Sequence, residues 1–270
     1  DDTSHIDCIK ARLQSVRSLD EEGYYENSWI GKWKKDCLPV LSRVKESIDT
    51  YYPGTKLSLT EYSFGGGDQI SGAITEADAL GTFARNGVYL ATLWDDGEYQ
   101  LSAISLYTNY DKNGAKFGDT FVPSTTSNIE LTTAYASIHS DNAQKANLVV
   151  TNKSLDSSKK IEVSLNGTDK TYETATVWGI TEGSSEIKKI DDVAISGNKF
   201  TVELPALTVA QIELNTNEAN TDVGGDTDSC VSSDSDSDNS SSSDSDRDNN
   251  DNKNYNELYT QKSYTRLFLC

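Results

Sequence analysis

Residues 56–72 read KLSLTEYSFGGGDQISG, an apolar strand-like run that ends in one glutamate, an aromatic and three consecutive glycines. Two readings compete: the glycines cradle a phosphate, or Glu61 is a functional carboxylate at the tip of a strand and the glycines let the next loop turn away. A Walker loop needs G-x-x-x-x-G-K-[ST], but Gly65, Gly66 and Gly67 are followed by Asp68 and Gln69, which bring a negative charge and no lysine. A dinucleotide fingerprint needs glycine at position 70, where Ile70 stands. The carboxylate reading survives.

The flanking sequence sets the context. Upstream, LPVLSRVKESIDT (38–50) places Leu38, Leu41, Val44 and Ile48 on one helical stripe, and Pro53-Gly54 then punctuates a turn. Downstream, ISGAITEADALGTFAR puts Ala77, Leu80 and Ala84 at helical spacing, and NGVYLATLW returns as a near-continuous apolar strand. The order helix, strand, helix, strand reads as βα units feeding a parallel sheet buried on both faces. Function in such sheets gathers at the C-terminal strand ends, where Glu61 and Trp94 fall. Two such pairs cannot close a barrel of eight, so the expectation is the last part of a barrel or a small α/β layer. The charged start DDTSHIDC, without a leader, favours the former.

From Glu98 to Asn215 the pattern changes to YQLSAISLYTNY, ANLVVTNK, KIEVSLNG, YETATVWGI, NKFTVELP and LTVAQIEL. These are short segments rich in β-branched and aromatic residues, read as an antiparallel sandwich-type β-domain. Its single tryptophan, Trp178, is expected in the core, with carbohydrate binding as the sharper alternative. Beyond it, residues 219–252 carry ten Asp and one Arg amid Ser and Asn, a composition that cannot bury enough apolar surface to fold. Asp234, Asp236 and Asp238 mimic the start of a calcium loop, but Asn239 and Ser245 replace its glycine and glutamate.

That segment accounts for about nine units of the net charge of -19. An acidic chain repels nucleic acid and suits neutral ligands, and no stretch approaches the roughly 20 apolar residues of a membrane span. Cys8, Cys37, Cys230 and Cys270 contain no C-x-x-C pair, which argues against zinc; Cys8 and Cys37 flank the first helical segment and are candidates for a disulfide. Asn152, Asn166 and Asn239 fit glycosylation acceptors, a pattern compatible with secretion.

A glutamate at a strand end beside tryptophans is what sugar hydrolysis uses. Retaining glycosidases hold two carboxyl groups about 5 to 5.5 Å apart, and aromatic faces stack on pyranose rings. Glu61, with Trp29, Trp33 and Trp94, offers that set. The plain alternative is a structural ion pair of Glu61 with Arg12 or Arg17 and tryptophans in the core.

The runs ARLQSVRSL (11–19), YYENSWIG (24–31) and LPVLSRVKESIDTYYPGTKLSLTEYSFGGGDQISGAITEADALGTFARNGVYLATLW (38–94) together resemble the C-terminal half of the catalytic domain of glycoside hydrolase family 44. The resemblance covers about residues 10–215. It implies α/β plus all-β architecture: the C-terminal portion of a TIM-like (β/α)8 barrel (1–96, strands seven and eight) and an antiparallel β-sandwich (97–216). Beyond these, composition predicts a Ser/Asp-rich disordered linker (217–254), followed by a tail without assignment (255–270). The resemblance further implies a retaining endo-β-1,4-glucanase acting on cellulose or xyloglucan; we expect it to be secreted and monomeric, with no cofactor, and assign no residue here to a metal. Glu61 would be the nucleophile, with Trp29, Trp33 and Trp94 binding substrate. Two features depart from the family pattern. Asp20 and Glu21 stand where an aromatic and Asp are usual, and no residue here matches the acid/base glutamate, which belongs to the fourth barrel strand. A non-catalytic carbohydrate-binding or scaffold module is the alternative.

Overall fold

The chain opens with helices α1 (Ile6–Ser15), α2 (Trp29–Trp33) and α3 (Val40–Tyr51). Strand β1 (Ser58–Tyr62), helix α4 (Ile70–Arg85), strand β2 (Leu90–Leu93) and helix α5 (Glu98–Thr108) follow. The computed structural model describes residues 4–94, 97–217 and 266–269, all of which fall in one compact unit. As the alternation predicts, β1 and β2 pair in parallel, with Ser58 opposite Leu90 and Leu59 opposite Ala91.

The expectation that these strands are buried on both faces fails. One face, with Leu59, Tyr62 and Ala91, packs onto Phe83 and Ala79 of α4 and onto Leu41 of α3. The other carries Ser58, Thr60, Leu90 and Thr92, all exposed. The sheet has only two strands, and among the described residues nothing covers its second face.

Helix α4 lies where the sequence places it, but its buried surface is far wider than the stripe through Ala77, Leu80 and Ala84. Thirteen of its sixteen residues are buried, while Ala84 is exposed. One side meets β1 and β2; the other, through Ile70, Ala73, Ile74 and Ala77, meets α1, α5 and a six-stranded sheet.

The run YQLSAISLYTNY, expected as a strand, is helix α5. Its apolar residues surround the axis, so they show no stripe; the readable signal was the start, where Gly97 caps the helix and Gln100 Oε1 accepts the Gly97 N–H at 3.2 Å. Gln100, Ala103 and Leu106 are buried, and the helix packs chiefly on α4.

The remaining strands are β3 (Thr120–Val122), β4 (Ser124–Thr126), β5 (Ala134–Ile138), β6 (Lys145–Asn152), β7 (Lys159–Asn166), β8 (Tyr172–Thr181), β9 (Ser184–Ala194), β10 (Lys199–Leu204), β11 (Thr208–Thr216) and β12 (Arg266–Leu269). An antiparallel sheet of order β3-β5-β6-β11-β8-β9 faces a four-stranded sheet of order β10-β7-β12-β4, in which β12 runs parallel to β4. Between them lies one apolar layer, including Leu148, Ile212 and Val177 from the first sheet and Val163, Val202 and Leu204 from the second. Strand β9, SSEIKKIDDVA, escaped the sequence reading because nearly half of it is charged; it is an edge strand whose Lys188, Lys189, Asp191 and Asp192 face solvent and guard the open edge against further pairing.

Three smaller expectations are resolved. Asn152 is not a usable glycosylation acceptor: it is fully buried, and its Nδ2 donates to the carbonyls of Ser157, Leu204 and Pro205 at 3.0, 3.1 and 2.7 Å. Cys8, on α1 rather than flanking it, and Cys37 are both exposed and free. Asn239, the Asp234–Ser245 segment and, apart from Asn217, the 217–254 linker lie outside the described residues.

The helical layer is keyed to the six-stranded sheet by a buried ion pair. Lys153 Nζ, just past β6, lies 2.5 Å from Asp78 Oδ2 of α4, both side chains being 1% exposed, and Thr133 Oγ1 donates to the other Asp78 oxygen. Removing one partner strands the other charge in the core, so Lys153→Met is expected to destabilise the chain by about 3–5 kcal/mol. Urea unfolding measures this, and the double variant Asp78→Leu/Lys153→Met should recover a large part of the loss.

Candidate active site

Of the four sequence candidates, Glu61 and Trp94 lie at the C-terminal ends of the parallel strands, and Trp29 and Trp33 lie on α2. Register changes between Leu59 and Tyr62, where three steps along β1 match two along β2, so β1 bulges at Thr60-Glu61. Tyr62 thereby turns toward α4, while Glu61 stays exposed at the C-terminal end of β1. The Trp94 N–H donates to the Tyr62 carbonyl at 2.8 Å, which brings Trp94 beside Glu61 across the two strand ends. Trp94 is 64% exposed, which rules out a core role within this chain.

Trp29 and Trp33 sit one turn apart on α2, so they share a face of that short helix. The helix starts where Ser28 Oγ accepts the Ile30 N–H at 3.0 Å, and Glu26 Oε1 accepts the Ser28 hydroxyl at 2.7 Å. Both tryptophans are exposed, at 62% and 77%. Trp29, with Asn27 and Ser28, lines an open groove of about 310 Å3 that also includes Ser63 and Phe64, just past Glu61. Trp33, Trp94 and Glu61 are not among the residues of that groove.

The ion-pair alternative for Glu61 is not realised. Arg17 forks onto Glu21 with bonds of 2.6 and 2.8 Å, and Arg12 donates to Ser71 at 2.7 Å and Gln69 at 3.3 Å. Among the described residues none forms a hydrogen bond or ion pair with the Glu61 carboxylate. The departures at Asp20 and Glu21 also have structural roles: Asp20 takes a bidentate Arg85, at 2.9 and 3.0 Å, and Glu21 takes Arg17. Trp178 is half-buried against the core with the Tyr110 ring 6.2 Å away, a packing role. Among the described residues no cluster of three or more His, Cys, Asp or Glu forms a metal site.

The glycines of the opening motif do more than make room. Gly65 and Gly66 adopt φ of +72° and +69°, the left-handed region that turns the chain off β1. Gly67 instead touches Gly97 backbone to backbone: a Cβ on Gly97 would sit 2.1 Å from the Gly67 carbonyl carbon. The Tyr99 N–H donates to the Gly67 carbonyl at 2.9 Å, so the loop after Glu61 is bonded to the loop after Trp94.

Sequence reasoning missed Glu76. It lies on α4, 1% exposed, and its Oε1 accepts the Tyr62 hydroxyl at 2.6 Å. Burial pushes its pKa up to about 7, opposed by the Tyr62 bond, and burial together with Glu76 pushes the pKa of the Tyr62 phenol up as well. A carboxyl titrating near neutrality resembles a general acid, yet this one lies behind β1, on the side away from Glu61. Helical periodicity marked position 76 only as mid-helix; the signal available was a glutamate flanked by the apolar residues of ISGAITEADAL.

No family model matches the chain. Endoglucanase A of Paenibacillus lautus is 42% identical over 214 residues, which are 78% of this chain and 30% of that protein. A glycoside hydrolase family 44 endoglucanase from Clostridium acetobutylium superimposes with a TM-score of 0.74 at 48% identity, covering 79% of this chain and 43% of that one. A family 44 xyloglucanase from Paenibacillus polymyxa gives 0.73 at 42% identity, covering 77% and 42%. The chain is therefore a relative of the family 44 glycoside hydrolases, and it spans less than half the length of these relatives.

The raised pKa of Glu76 has a definite sign in folding. Below pH 4.5 the carboxyl is neutral folded and unfolded; between 4.5 and about 7 only the unfolded chain gives up the proton, so stability falls as pH rises. At 1.36 kcal/mol per pKa unit the loss reaches roughly 3 kcal/mol above neutrality. Glu76→Gln should therefore gain on the parent by about that amount between pH 4 and 8; a pH-independent difference in urea unfolding would contradict this.

Proposed function

We propose that the chain is the C-terminal part of a retaining endo-β-1,4-glucanase that acts outside the cell, as a monomer, on cellulose- or xyloglucan-type β-glucans. In this reading β1 and β2 are the seventh and eighth strands of a TIM-like barrel, and the two facing sheets are its attached β-sandwich. We place α5 with the barrel, extending that part from residue 96 to residue 108, because α5 packs chiefly on α4. The observation that carries the proposal is the exposed pair at the strand ends: Glu61 and Trp94 side by side on the face that no helix covers. Identities of 42 to 48% to family 44 enzymes support it.

The chemistry follows from these positions. Glu61 attacks the anomeric carbon and forms a glycosyl-enzyme, while a second carboxyl, about 5 to 5.5 Å away, protonates the leaving oxygen and then activates water. Trp94, at the neighbouring strand end, offers a flat apolar face to the sugar ring in reach of that attack, and Trp29 and Trp33 extend the platform. We assign the second carboxyl to the part of a family 44 domain that these 270 residues do not span. Glu76 does not qualify, because it lies on α4, buried against Tyr62 on the closed side of β1 rather than on its open side.

The 270-residue chain alone is expected to leave carboxymethylcellulose and xyloglucan intact. Joined to the remainder of a family 44 domain it should hydrolyse them, and Glu61→Gln should lower kcat by roughly 10⁴-fold or more, as loss of a nucleophile does. Reducing-sugar assays decide: hydrolysis by the chain alone refutes the division of carboxyls, and a joined protein indifferent to Glu61→Gln refutes the nucleophile.

A further inference from the structure

Tyr62 is tied to both strand ends. It follows Glu61 in the bulge, its carbonyl accepts the Trp94 N–H at 2.8 Å, and its phenol reaches the other way to Glu76 Oε1 at 2.6 Å. Its ring is held edge-on to Phe83, 4.9 Å between centroids. Glu76 Oε2 is buried with no hydrogen-bond partner among the described residues, so Tyr62 is the tether of that carboxyl.

We propose that Glu76 is a positioning residue for Glu61 and Trp94, acting through the phenol of Tyr62. The proposal rests on the reading of Glu61 as nucleophile. Its physical basis is that a Tyr–carboxyl bond is about twice as strong when the carboxyl is ionised as when it is neutral. A change of charge on Glu76 thus alters the pull on the residue that fixes both strand ends.

The other groups around α4 have partners of their own. On the helix, Asp78 pairs with Lys153 and Arg85 with Asp20. From α1 comes Arg12, bonded to Ser71 and Gln69, and from the turn after it Arg17, bonded to Glu21. Tyr107 of α5 donates to the Ala77 carbonyl, and Tyr135 of β5 meets Thr82. Strands β6, β8 and β11 present Val149, Ile180 and Val209, which are apolar. Besides burial, the Glu76 charge also raises the pKa of the Tyr107 phenol, but Tyr62 is the group hydrogen-bonded to Glu76 and the one that ties it to the strand ends.

Fluorine NMR of the 270-residue chain labelled with 5-fluorotryptophan tests this without any need for glucan hydrolysis, so its outcome is separate from that of the nucleophile proposal. The four tryptophans give four lines, and Trp94→Phe identifies that of Trp94. The Trp94 line should shift with pH through a midpoint near 7. The step should vanish in Glu76→Gln and in Tyr62→Phe, and persist in Glu61→Gln. A Trp94 line without that step, or a step that survives in either Glu76→Gln or Tyr62→Phe, overturns the proposal; so does its loss in Glu61→Gln.

Discussion

Helix α4 is buried along thirteen of its sixteen residues, and that constraint governs the rest of the described structure. A helix between two layers has no solvent to satisfy its polar side chains, so each must find a partner within the protein. Along one helix Ser71 receives Arg12, Thr75 bonds the Arg12 carbonyl, Glu76 receives Tyr62, Asp78 holds Lys153 and Thr133, and Thr82 meets Tyr135. Those partners come from α1, β1, β5 and the segments flanking β5 and β6. The polar residues of α4 thus fix the orientation of elements that its alanines and isoleucines alone would let slide.

The same economy appears at the strand ends. Parallel strands are joined by ladder hydrogen bonds that stop where the strands stop, and the loops beyond are ordinarily independent. Here the Gly67–Gly97 backbone contact and the Tyr99 to Gly67 bond continue the coupling past the ladder. A side chain at Gly97 would force the two loops apart, so the relative placement of Glu61 and Trp94 depends on a residue that touches neither.

The helix–strand–helix–strand order, the parallel pairing of β1 with β2 and most strands of the β-rich half were legible in the sequence, because each has a period or a turn signal of its own. Helix α5 was not, since an apolar surface all round the axis has no period to read, and only the Gly97/Gln100 start betrays it. Strand β9 was not, because an edge strand is selected for charge rather than for apolar alternation. At the proposed site, Glu61 and Trp94 could be picked out by residue type and strand position, and Trp29 and Trp33 by residue type alone. Glu76 could not, because its importance comes from a bulge in β1 that turns Tyr62 toward it, and a bulge is a property of pairing rather than of one strand's sequence.

That bulge also bears on how perturbed acidity should be used to find an active site. A carboxyl titrating near 7 in a protein related to glycoside hydrolases is, by the general association of shifted acidities with function, the first residue to suspect. Geometry reverses the choice. Neighbouring positions on β1 point to opposite sides, so Tyr62 leads to a closed interior and Glu61 to the open face with Trp94. On the proposed assignment only the second side takes the polysaccharide, the shifted carboxyl supports the strand and the exposed one does its chemistry, the two being separated by the thickness of a single β-strand.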